Sequence, residues 1–81
     1  MKQMMEVKMS KYDLVGVDSN AFSILAYVRN ALRKEGLKHL VQEYEQKATI
    51  ADYDNLIVVS MDYIDLANNK AIENGYNEDE E

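Results

Sequence analysis

The sequence predicts a mainly α-helical small domain of three helices, preceded by an extended arm or short strand and followed by a disordered acidic tail. Three observations carry that prediction between Val17 and Ala67: an N-cap signal, two apolar stripes at helical spacing, and an aspartate-rich turn before a third apolar run. The expected division is a weakly ordered extension over residues 1–10, a helical domain over 11–69 and a tail over 70–81. Met9-Ser10 reads as a native start, which would make the preceding Met-rich segment a weakly ordered extension.

Tyr12 to Val17 is the one strand candidate, because β-branched and aromatic residues cluster there and Gly16 punctuates the approach to a helix cap. A lone strand needs a partner, so the segment either pairs with a second copy or packs on the helices as an extended arm; isolated strands being costly, the arm is favoured. Helix one is expected over Ser19–Glu35, with Asp18 or Ser19 as N-cap and Gly36 as the terminating residue. Ala21, Ile24, Leu25, Val28 and Leu32 fall in one sector at 100° per residue, opposite Ser23, Asn30, Arg33 and Lys34. Phe22, the sole phenylalanine, flanks that stripe and is read as the anchor of the core.

Helix two is expected over Leu37–Ala48, where Leu37, Leu40, Val41, Tyr44 and Ala48 repeat at amphipathic spacing, and the single glycine before it implies a sharp reversal. Helix three is expected from Asp52 to about Asn68, since Asp52 and Asp54 suit the unpaired amides and dipole of a helix start. Its shared face is Tyr53, Leu56, Ile57, Ser60, Tyr63, Ile64 and Ala67; Leu56-Ile57-Val58-Val59 has strand propensity, but the length of the run favours helix. The acids Glu78 to Glu81 repel one another, which predicts disorder beyond Gly75.

A chain of 81 residues holds one domain and buries roughly 60 to 65% of its unfolded surface, a thin margin that small domains often supplement by pairing with a copy or a partner. The absence of cysteine removes disulfides and thiolate metal sites and fits a reducing cytoplasm. No apolar run reaches the length of a membrane span, and residues 1–9 lack the apolar core of a secretory signal. The net charge of −6 is uneven: eight Lys/Arg stand against ten Asp/Glu up to residue 69, and one lysine against five acids beyond it. That balance argues against general binding to a phosphate backbone.

Candidate chemistry is sparse. His39, the only histidine, has Glu35 and Glu43 a turn away on either side but no further ligand, and reads as solvent-facing. Asp52, Asp54 and Asn55 begin like a calcium loop, but Leu56 and Ile57 fall where a ligand and the sharp turn are needed. Asp62 and Asp65 share a helix side without a partner group. No metal, cofactor or catalytic residue is assigned. Arg29, Arg33, Lys34 and Lys38 form the basic cluster, read first as cations offsetting a helix dipole and second as a docking patch. Six tyrosines against one phenylalanine suit wet interfaces, and Tyr27, Tyr44, Tyr53 and Tyr63 are expected to line one surface. The candidate partner-binding residues are thus Tyr27, Tyr53, Tyr63, Arg29 and Arg33.

The segments Gly16-Val17-Asp18-Ser19-Asn20-Ala21-Phe22 and Ala51-Asp52-Tyr53-Asp54-Asn55-Leu56 resemble a family of small uncharacterised proteins of bacteriophages and bacteria. Its pattern runs G-x-D-G-N-A-F, then A-L-R-x-A-G, then G-D-Y-D-x-L; here Ser19, Glu35 and Ala51 depart from it, and the likeness covers roughly residues 15 to 64. The resemblance implies no activity, only a phage-type accessory protein. The expectation is a non-catalytic module, with a homodimer as one possibility, that binds and modulates a host protein in the cytoplasm through a tyrosine-bearing helical surface. The alternative is a nucleic-acid role, either acidic DNA mimicry or weak binding through Arg29, Arg33 and Lys34; an enzyme assembled from Asp, Tyr and Lys is the least supported option.

Overall fold

The computed structural model describes residues 10–76. They form an irregular arm followed by α1 (Ala21–Lys34), a short 3-10 turn (Lys38–Leu40), α2 (Val41–Ala48) and α3 (Tyr53–Glu73), so the three-helix reading holds. Among the described residues there is no strand and no helix long and apolar enough to cross a membrane. The expectations for residues 1–9 and 77–81, including the disorder beyond Gly75, fall largely outside the described residues.

The strand alternative for Tyr12–Val17 is not realised, because local turns consume its backbone groups. The Asp13 carboxylate accepts from the Val15 amide at 3.0 Å and the Leu14 carbonyl accepts from the Val17 amide at 3.0 Å. Gly16 sits third in that second turn at φ +92°, a left-handed conformation open to glycine at little cost.

α1 begins two residues later than Ser19, and its cap is Asn20, not Asp18 or Ser19. Asn20 is extended (φ −60°, ψ 134°) and its side-chain oxygen accepts from the Phe22 and Ser23 amides at 2.8 and 3.4 Å. The Asp18 carboxylate is used one step earlier, on the Asn20 amide at 3.0 Å. A second correction concerns Phe22. Phe22 lies 200° around the helix from Ile24, so it points away from the buried stripe and is 80% exposed; it does not anchor the core.

α1 ends as expected at Gly36, whose φ of +81° lets the Leu37 amide reach the Leu32 carbonyl at 2.7 Å and the Gly36 amide reach Arg33 at 3.2 Å. With Leu37 held in that cap, the predicted first turn of helix two tightens into the 3-10 turn, and α-helical geometry starts only at Val41. The junction to α3 is closed from both sides. The Asn55 side-chain amide donates to the Lys47 and Ala48 carbonyls at 2.9 and 3.3 Å, while the Asn55 backbone amide donates to the Asp52 cap at 3.0 Å.

α3 overruns its expected end at Asn68 by five residues. Ala67 and Ala71 continue the buried face, and Gly75 (φ +102°) supplies the stop, with the Tyr76 amide on the Ala71 carbonyl at 2.9 Å. Residues 70–76, grouped with the tail from charge alone, therefore belong to the helical body. α3 packs on both α1 and α2, around a core of Ile24, Val28, Leu32, Tyr44, Leu56 and Ile64. Alanines 31, 48, 67 and 71 are all but fully buried and keep the helices close.

Candidate functional site

The arm matters because it forms one wall of an open groove whose other wall is α3. Several side chains fix it in place. At its start, the Asn68 amide makes a pair of bonds to the Tyr12 backbone, accepting from the Tyr12 amide at 2.7 Å and donating to its carbonyl at 2.9 Å. The Tyr27 hydroxyl accepts from the Asp13 amide at 2.9 Å, and the Tyr53 hydroxyl donates to the Ser19 carbonyl at 2.5 Å at the far end.

Glu35, buried at the C-cap of α1, is the strongest of these ties. Its carboxylate accepts from Lys11 Nζ at 2.8 Å, the Tyr12 hydroxyl at 2.5 Å and Asn74 Nδ2 at 3.0 Å. Since Asn74 caps α3, the ends of α1 and α3 and the root of the arm all meet on one carboxylate. Burial alone would raise its pKa; the hydrogen bonds from Lys11, Tyr12 and Asn74 outweigh burial and hold it at about 2. Burial, then the adjacent Glu35, pushes the Tyr12 phenol up to about 12, and the bond to Glu35 raises Lys11.

The groove has a volume of about 390 Å³. Its apolar lining is Leu14, Val17, Ile24, Ile57, Met61 and Ile64, with Val15 and Tyr53 at the edges and Asp13, Asp65 and Asn68 as polar groups. Val15 is 86%, Met61 54% and Tyr53 44% exposed, so apolar surface lies open on both walls. A smaller cleft of about 270 Å³, bounded by Leu25, Ala48, Ala51 and Leu56, adjoins it across Tyr53.

The five residues singled out from sequence separate. Tyr53 alone lines the groove. Tyr27 is half-buried and packs edge-on to Tyr12, with ring centroids 6.3 Å apart. Tyr63 is buried against Tyr44 between α2 and α3, its hydroxyl donating to Glu43; burial, then that carboxylate, pushes its pKa up to about 12. Tyr44 itself is fully buried. Arg29 bridges to Glu45 on α2 at 3.0 Å, whereas Arg33 is exposed beside Lys34 at the end of α1. The single tyrosine surface is thus replaced by two hydroxyls that tie down the arm and others that serve the core.

Sequence reasoning missed Val15, Met61 and Asp65 as groove residues. The available signal was Met61 itself, an apolar side chain on the polar side of the α3 wheel. Among the described residues no three His, Asp or Glu side chains converge to hold a metal ion; His39 is exposed on the 3-10 turn. The groove brings together apolar surface, two carboxylates and an amide. Comparison with protein-family models, curated proteins and solved structures finds no match.

Proposed function

We propose that this protein is a non-catalytic interaction module that docks a protein partner in the groove between the arm and α3. The observation that supports this is the exposure of Val15, Tyr53 and Met61 around one open apolar concavity, held in shape by side-chain bonds to an otherwise irregular arm. An apolar concavity on a small domain is a natural place for a partner's anchoring side chain. The bonds that shape it mean the partner meets a prepared surface, with little ordering cost at the moment of binding. The resemblance of the Gly16–Phe22 and Ala51–Leu56 segments to phage and bacterial proteins supports a narrower reading, an accessory protein acting on a host protein in the cytoplasm.

The test compares capture from nuclease-treated bacterial lysate by the tagged wild-type chain and by a Val15→Ser/Met61→Lys variant. Both positions are exposed, so the variant is expected to keep its circular dichroism and melting temperature. A stoichiometric protein retained by the wild type and lost by the variant is the expected result; equal capture by both overturns the groove as the docking site. Nucleic acid recovered in a parallel capture without nuclease would favour the rival reading through Arg29, Arg33 and Lys34. That reading would have to draw Arg29 away from Glu45, and its binding would weaken steeply with added salt.

A further inference from the structure

The charge around the groove narrows what its occupant must be. Asp13 and Asp65 line it, and no lysine, arginine or histidine does so among the described residues. The Asp13 carboxylate accepts only the Val15 amide, through one oxygen, and Asp65 has no hydrogen-bond or ion-pair partner among the described residues. Asp62, one turn before Asp65 on the same helix, is exposed as well but does not line the groove, and adds like charge to that end of α3. The described cation farther along α3, Lys70, pairs with Glu73 at 3.4 Å. The chain's overall charge of −6 adds a field of the same sign.

We infer that the groove takes a cationic amphipathic polypeptide segment of another protein, which inserts a bulky apolar side chain over Met61 and Ile57 and sets Lys or Arg against Asp13 and Asp65. This rests on the groove being the docking site. The volume of about 390 Å³ suits one or two large side chains, so the remaining contact falls to the acidic rim. An acidic ligand would be repelled by the two exposed carboxylates and a neutral one would leave them unpaired, whereas a cation gains from both. The order of events follows from the same charges: the field speeds encounter with the cationic segment, and the apolar side chain then limits its escape.

The test uses the full chain and a fluorescein-labelled helical peptide with Phe and Leu on one face and Lys and Arg beside them, read by fluorescence anisotropy. A matched peptide with Glu in place of the cations is the control. The cationic peptide should bind and the Glu peptide should not. Asp13→Asn/Asp65→Asn should weaken binding about tenfold at low salt and flatten its salt dependence. Asn at 13 keeps the acceptor for the Val15 amide, so the arm turn survives the change. Met61→Lys should abolish binding. Equal binding of both peptides, or of neither, overturns the inference; if capture from lysate is still lost in the Val15→Ser/Met61→Lys variant, the interaction reading stands and only the ligand chemistry is wrong. Phe22 and Arg33 share the outer face of α1 and make a second copy the competing occupant. Self-association in light scattering that both Phe22→Ala and Met61→Lys abolish would place that copy in the groove and overturn the assignment to another protein.

Discussion

Tyr44 and Ser60 show what a single residue decides in a core this small. Both are fully buried, and their hydroxyls lie 2.6 Å apart between α2 and α3, each satisfying the other away from water. Tyr44→Phe leaves the serine hydroxyl free to turn onto a carbonyl of its own helix, whereas Ser60→Ala strands a phenol that cannot relocate. Ser60→Ala should therefore be the costlier change, at about 2 kcal/mol against about 1 for Tyr44→Phe, and the double variant should cost about 1 kcal/mol less than the sum. Urea denaturation of the four proteins checks this; an additive double variant would mean the two groups do not depend on each other. The burial of Ser60 was legible from its place in the stripe with Leu56, Tyr63 and Ala67, because periodicity reports which face turns inward. The role of each tyrosine hydroxyl was not. The bonds of Tyr12 to Glu35, Tyr27 to Asp13 and Tyr53 to Ser19 join residues 14 to 34 positions apart, and no local pattern encodes such pairings.

At the scale of the element, the end of α1 was easier to read than its start, whereas for α3 the start was legible and the end was not. Gly36 stops α1 because few other residues accept φ of +81°, so one letter suffices. At the start the expected caps were Asp18 or Ser19, and the sequence pattern did not single out Asn20, the residue that the arm leaves extended. Asn20→Ala should cost about 1 kcal/mol and Ser19→Ala close to nothing, measured as shifts in the urea midpoint at unchanged slope. A larger loss at Ser19 would overturn the cap assignment. The start of α3 near Asp52 was foreseen from the carboxylates of Asp52 and Asp54, and Asp52 is the one that caps it. The groove belongs to this scale as well. α3 and its apolar stripe were visible in the sequence, yet the opposing wall is an arm without regular structure, positioned by the distant side chains of Asn68 and Tyr53.

For the whole molecule, Glu35 makes stability and the shape of the groove answer to one proton. Its folded pKa of about 2 lies below the ordinary glutamate value of 4.5, so the unfolded chain binds the proton more tightly and protonation favours unfolding. The stabilisation from this carboxylate is therefore complete above about pH 4.5 and is lost as the pH falls through about 2. At pH 7 Glu35→Gln should lower stability by about 2 kcal/mol, because it replaces a charged acceptor that serves Lys11, Tyr12 and Asn74 with a neutral amide. The wild-type and variant stability curves, measured by urea denaturation from pH 7 downward, should run parallel to about pH 4.5 and converge towards pH 2. A gap that persists at the acid end would show that the variant lost packing, not charge. Because Lys11 and Tyr12 lie in the arm while the core of α1, α2 and α3 has its own apolar contacts, the arm should open first on acidification. Amide exchange at Tyr12 and Asp13 should then accelerate at a pH where Leu32 and Ile64 are still protected, and the groove would come apart before the helices that support it.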